Sequence, residues 1–267
     1  MTQVNVKSLY IIRGGSCVKK FVGCLVCAGV LVSGVFGGYS GVHAEEASSM
    51  EKETNNSSSS TLYDKRGYTL VVIKGVDDPA IDPIIDEFVD LYFKVYPKLV
   101  KKYAINPWEH SRKVTLEFDP EYDGVAYADN GKIVVSTNWI LENPDDVALF
   151  THELTHLAQA YPTYNDQTVW ITEGIADYAR YVYGPHNGDW RLPEEVKDTD
   201  NYDSGYRVTA RFLLWITQNK NHFAVDIINR ALQYDIFDLR LFKTITGKSV
   251  EDLWEEYREN PEVRTHY

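Results

Sequence analysis

The chain has 267 residues, 44% of them hydrophobic and 25% charged, and 39 acidic against 27 basic side chains give it a net charge of −12. That size and composition suit one globular domain with flanking segments, and so acidic a chain repels nucleic acid and anionic membrane surfaces. Its three cysteines are Cys17, Cys24 and Cys27, so the chain after them holds no thiolate metal site and no cysteine nucleophile.

The first element in chain order is not part of the fold. Lys19 and Lys20 precede an apolar run, Phe21 to Phe36, and a small-residue stretch ends in Val42-His43-Ala44. The run is shorter than the roughly 20 residues a spanning helix needs. Residues 1–44 therefore read as an export signal cleaved after Ala44. The product is expected to be secreted or held in a bacterial envelope or periplasm, without stable membrane insertion. Cleavage removes Lys7, Arg13, Lys19 and Lys20 and leaves 23 bases against 39 acids, a net of −16. Residues 45–61, "EEASSMEKETNNSSSST", hold almost no apolar side chain and read as a disordered linker. The folded domain is expected over 62–267.

"YTLVVIKGV", Tyr68 to Val76, is rich in β-branched residues and predicts a strand. Ile84, Ile85, Phe88, Leu91, Tyr92 and Tyr96 follow at helical spacing, with Pro97 expected to kink or end that helix. Lys113–Asp119 alternates as a strand. Asn130-Gly131 marks a hairpin whose second strand runs from Lys132 to Ile140. An exposed edge on that strand can take an extended peptide by strand addition. Asn143, Pro144, Asp145 and Asp146 then suit the start of a helix that runs through two histidines and stops before Pro162. Further helices are expected over about Ile171–Tyr183, from near Asp203 onward, over His222–Tyr234 and over Val250–Glu259. The pattern predicts an α+β fold, with a small sheet-containing N-terminal half and a mainly helical C-terminal half.

The chemistry concentrates in "THELTHLAQAY", Thr151 to Tyr161. His152 and His156 lie one turn apart on a helix face and can share one metal ion. Glu153 sits beside them, where a carboxylate can act as general base on a metal-activated water. A catalytic zinc needs three protein ligands and an open position. A third histidine six residues on is absent, because Gln159 and Pro162 stand where that motif has glycine and histidine. "WITEGIADYAR" offers the alternative: Glu173 as third ligand, with Asp177 on the same face to accept the free ring N–H of His152. Those two acids lie on a helix otherwise apolar at Ile171, Ile175 and Ala176, so they need a partner. Tyr202 and Tyr206 open a later helix; Tyr206, after Gly205, is the better candidate to stabilise an oxyanion. His186 is the reserve ligand on a loop.

"HELTHLAQ", "TEGIADYAR", "YDSGYRVTARFLLW" and "ITGKSVEDLWEEYR" together resemble the basic secretory protein family of plants and bacteria over roughly Tyr68 to Arg258. The resemblance implies a zincin-like fold of the gluzincin kind, with the metal-site cleft between the two halves. It implies one zinc ion on His152, His156 and Glu173, with Glu153 as general base. The strongly acidic chain departs from the family name. The expected activity is hydrolysis of a protein or peptide substrate by an exported zinc metallopeptidase. Two rivals remain at this level: a non-catalytic binding or adhesion module on the same scaffold, and a zinc hydrolase of non-peptide amides. The sequence leaves the oligomeric state open.

Overall fold

The computed structural model describes residues 59–186 and 188–266. The expected signal and all but the last three residues of the expected linker lie outside them. Alternating apolar residues build β2 (Tyr68–Lys74) and β3 (Lys113–Asp119), which pair in parallel with Leu70 and Val72 of one and Val114, Leu116 and Phe118 of the other buried on the core side. The order of the five-stranded sheet is β1-β2-β3-β5-β4, with β1 (Ser59–Lys65) and β4 (Ala126–Asp129) antiparallel at its two edges and β5 (Lys132–Ser136) parallel to β3. β1 takes up Ser59, Ser60 and Thr61, the end of the stretch expected as linker. Polar residues serve there because a strand edge is held by its backbone ladder to β2, which runs from Ser59 to Lys65.

The helix α1 (Asp82–Tyr103) connects β2 to β3 and runs through Pro97 without ending. Tyr96, Leu99, Val100 and Tyr103 continue its buried face past the proline, and their burial offsets the lost backbone hydrogen bond. Phe88 on α1 ties the layers together. Its ring lies 5.4 Å from Phe118 of the sheet and 4.9 Å from Phe150 of the helix that carries the histidines.

Three expectations around residue 140 are corrected. The strand from Lys132 stops at Ser136, whose hydroxyl accepts from the Trp139 amide at 3.3 Å and caps a short helix α2 (Thr137–Glu142). β5 is also an interior strand, so the sheet's edge beside it is β4. Asn143 closes α2 instead of opening the next helix; its amide and side chain both donate to the Trp139 carbonyl. A 3-10 turn (Asp146–Ala148) then leads into α3 (Leu149–Gln159).

The rest is helical: α4 (Val169–Tyr183), α5 (Tyr206–Asn219), α6 (Ala224–Gln233), α7 (Arg240–Thr246) and α8 (Val250–Glu259). The fold is α+β, as the sequence pattern predicts. No helix among the described residues is long and apolar enough to cross a membrane.

Candidate metal centre

The site is assembled by α3 and α4. His152 and His156, one turn apart on α3, turn their Nε2 atoms toward each other at 3.0 Å, with the rings nearly perpendicular at 81°. Ala160 ends α3 in the left-handed conformation (φ 45°), so the chain turns away directly after the histidines. The third candidate ligand comes from α4. Glu173 Oε2 lies 3.1 Å from His152 Nε2 and 3.5 Å from His156 Nε2. Among the described residues these three form a group whose ligand atoms all lie within 4.8 Å of one another and could hold a metal ion.

The outer ring atoms explain why these inner atoms are suited to hold a metal ion. His152 Nδ1 is 2.7 Å from Asp177 Oδ1 and His156 Nδ1 is 3.3 Å from Gln159 Oε1. Carboxylate and amide oxygens only accept here, so each Nδ1 carries the hydrogen and each ring, once its inner nitrogen is free of a proton, presents an Nε2 lone pair inward. Two lone pairs and a carboxylate oxygen converge on one point, an arrangement that repels itself unless a cation sits between them. A tetrahedral ion with bonds of about 2.0–2.1 Å would space its ligands about 3.3 Å apart. The observed 3.0, 3.1 and 3.5 Å bracket that value. The residues fit a nitrogen-and-oxygen site of the zinc type.

The acids also draw positive charge into the site, a proton on His152 or a metal cation in its place. Burial works against charge on His152, but Asp177 and Glu173 outweigh it and raise its pKa to about 10. Glu173 is held well below the usual carboxylate range: burial opposes this, and His156 and His152 overcome it. Burial raises Glu153, with Glu173 adding to the rise and His152, His156 and Arg180 opposing it. His152, Glu153 and Glu173 are 7%, 5% and 2% exposed, so three acids including Asp177 surround two histidines in a nearly dry pocket. Such a pocket favours a cation.

Glu153 and His152 line a cavity of ≈ 920 Å³ together with Tyr206, Trp139, Arg180 and Trp190. The ring of Tyr206 stacks over His152 at 6.2 Å and 12°. Close packing of α5 on α4 brings it there. Gly174, next to Glu173, leaves no room for a side chain: a Cβ would fall 2.2 Å from the Thr209 methyl. Gly205 is required for its dihedral (φ 75°) and not for close approach, since a Cβ there would meet its nearest neighbour at an ordinary 3.8 Å. Tyr202 is absent from the cavity and packs edge-on against Trp170 at 5.3 Å. His186 stands outside the metal group, its ring against Tyr181 at 5.5 Å.

Two parts of the site escape sequence reasoning. The Tyr164 hydroxyl donates to Glu173 Oε1 at 2.8 Å and orients that carboxylate. Tyr164 lies in the turn between α3 and α4, where no periodicity singles it out. In the cavity wall, Arg180 pairs with Asp146, which also accepts from Trp139 Nε1 at 3.2 Å, and the guanidinium lies 4.3 Å from the centre of the Trp190 ring. Arg180 stands three residues after Asp177, a spacing visible in the sequence, but its partners come from distant segments.

No curated protein matches the chain. A family model described as "Peptidase of plants and bacteria" matches residues 86–257, which span α1 to α8 and include His152, Glu153, His156, Glu173, Asp177 and Tyr206. With its two histidines and glutamate brought together inside that span, the chain belongs to the basic secretory protein family, the peptidases of plants and bacteria.

Proposed function

We propose that this chain is an exported metallopeptidase with a single zinc ion on His152, His156 and Glu173. The observation that carries the reading is the inward convergence of two histidine Nε2 atoms and a carboxylate oxygen, with the outer nitrogens committed to Asp177 and Gln159. Zinc bound there supplies Lewis acidity to the scissile carbonyl and lowers the pKa of water at its open position to about 7. Glu153, in the wall of the adjoining cavity, accepts the proton of the attacking water and passes it to the leaving amine nitrogen. The Tyr206 hydroxyl, from the same wall, donates to the oxygen that gains charge as the carbonyl carbon becomes tetrahedral. Asp177 holds the His152 ring in the tautomer that ligates, and Tyr164 holds Glu173.

In this reading the cavity is the substrate cleft of a zincin-like fold. An extended peptide adds to the open edge of β4, the strand that packs beside α3. Residues 1–44 are the cleaved signal and 45–58 lead into the domain, which begins with β1 at Ser59.

Metal analysis of the purified chain, followed by digestion of a broad peptide library, tests the proposal. The expected result is bound zinc and cleavage that stops on chelation and returns with zinc. A chain that takes up no zinc, or takes it up and cleaves no peptide, overturns it.

A further inference from the structure

The cavity beside the metal centre is organised around one ion pair. Arg180, 8% exposed, pairs with Asp146, and this pair joins two tryptophans that line the same cavity. Trp139 Nε1 donates to Asp146 Oδ2 at 3.2 Å, and the Arg180 guanidinium lies 4.3 Å from the centre of the Trp190 ring. The segment that carries Trp190 sits directly on the turn that carries Asp146. At Gly188, with φ 65°, a Cβ would fall 2.8 Å from the Asp145 carbonyl oxygen. Two indoles from distant segments are thus held in one lining, which Val125 and Leu149 complete.

The polar side chains of that lining divide into two groups. The inner ones are engaged: Asp177 with His152, Arg180 with Asp146, and Asn143 with the Trp139 carbonyl. Glu142, Asp145, Asp189 and Arg207 are exposed. Ion pairs made with exposed groups contribute little, because water screens them. Burial of a large apolar side chain contributes more, in proportion to the area removed from water. A cavity of ≈ 920 Å³ has room for such a side chain.

On the reading of this cavity as the cleft of a metallopeptidase, we propose that it takes a large apolar side chain, aromatic or leucine-like, from the residue beside the scissile bond. Trp139 and Trp190 determine the preference, and the Arg180–Asp146 pair positions them. An aromatic ring has about 150 Å² or more to bury and meets indoles favourably edge-on or offset. An acidic side chain is disfavoured, since Asp146 already answers Arg180 and three exposed carboxylates stand against Arg207.

The test is digestion of a peptide library, with cut sites read by mass spectrometry, followed by kcat/KM on matched peptides with phenylalanine, leucine, alanine, arginine or glutamate beside the cut bond. Cuts should fall beside phenylalanine and leucine, with kcat/KM about 10²-fold higher for phenylalanine than for alanine. Trp139→Ala and Trp190→Ala should each lower that ratio about tenfold or more with zinc content unchanged. Trp108→Ala, at a position 86% exposed and outside the cavity, should leave the ratio unchanged. Calorimetric binding of the same peptides to the zinc-loaded Glu153→Gln variant should give the same order without turnover. Equal values for phenylalanine and alanine overturn the proposal, as does a preference for arginine or glutamate, or a ratio that neither cavity variant moves. The parent ratio decides where an alanine variant fails to fold. The peptidase reading fails separately: if the chain binds zinc and cleaves nothing, the binding order alone decides what the cavity takes, and equal or absent binding overturns the apolar assignment.

Discussion

In the proposed zinc site, replacing Glu173 by alanine removes one of three ligands and leaves two histidines facing a buried cation. Zinc bound by four protein ligands is worth about 10–16 kcal/mol in small folded sites, so one ligand accounts for about 3–4 kcal/mol. At 1.4 kcal/mol per tenfold, zinc affinity should fall about 10²- to 10³-fold. Asp177→Asn keeps all three ligands and changes the acceptor 2.7 Å from His152 Nδ1 from a carboxylate to a neutral amide. The ring stays in place but becomes a weaker donor to the metal, and the loss should be about 10- to 100-fold. Competition with a chromophoric chelator ranks the two variants directly. Glu173→Gln is a useful third member, since it keeps an acceptor for the Tyr164 hydroxyl while losing the charge; it should fall between the other two. If Glu173→Ala holds zinc as the parent does, the carboxylate is no ligand and the reasoning fails. If Asp177→Asn loses more than Glu173→Ala, the roles of the two acids are exchanged.

The remaining predictions use the same fold. Glu153→Gln should keep zinc and lower kcat about 10²- to 10⁴-fold, and near-normal turnover would remove Glu153 as the base. Tyr206→Phe should cost about 10²- to 10³-fold in kcat with little change in KM; an effect below about twofold would reduce Tyr206 to a packing contact over His152. Gly174→Ala should destabilise the fold by about 1–3 kcal/mol in urea unfolding, because its Cβ would fall 2.2 Å from the Thr209 methyl. Adding Thr209→Ser removes that methyl but leaves the Cβ of residue 209 at 2.7 Å, so it should recover part of the loss; a double variant less stable than Gly174→Ala alone would mean that the strain lies elsewhere.

The parts of this protein that were legible in its sequence are those written in short periods. The i, i+4 histidines, Glu173 with Asp177, and the buried stripe of α1 repeat every turn, and the structure brings the named side chains together. The misreadings share a cause. Ser136 caps a helix with no acidic residue three positions on to announce it, so "STNWI" looks like more strand. Asn143-Pro144-Asp145-Asp146 has the chemistry of a helix start, but Asn143 is used to close α2 and Asp146 to hold Arg180. α7 buries one side chain, Phe242, and a single buried position has no period. Tyr164 matters through one hydroxyl, which nothing local distinguishes from those of the other tyrosines among the chain's 19.

Net charge illustrates the same limit from the other side. A chain at −12 invites a uniform picture of an acidic surface, and composition cannot correct it. Folding sorts the charges. Glu153, Glu173 and Asp177 are withdrawn into a nearly dry pocket, where their combined field acts on one small volume and favours a cation there. Lys65, Arg66, Lys94 and Lys98 are gathered around another cavity beside one acid, Asp90. Within a Debye length of about 8–10 Å a ligand feels the local set and little of the total. The sequence places those residues in separate segments, 65–66 on a hairpin and 94–98 in the middle of a helix, and their neighbourhood exists only once α1 has crossed from β2 to β3. Charge therefore bears on the function of this chain at the scale of single cavities, a scale fixed by packing.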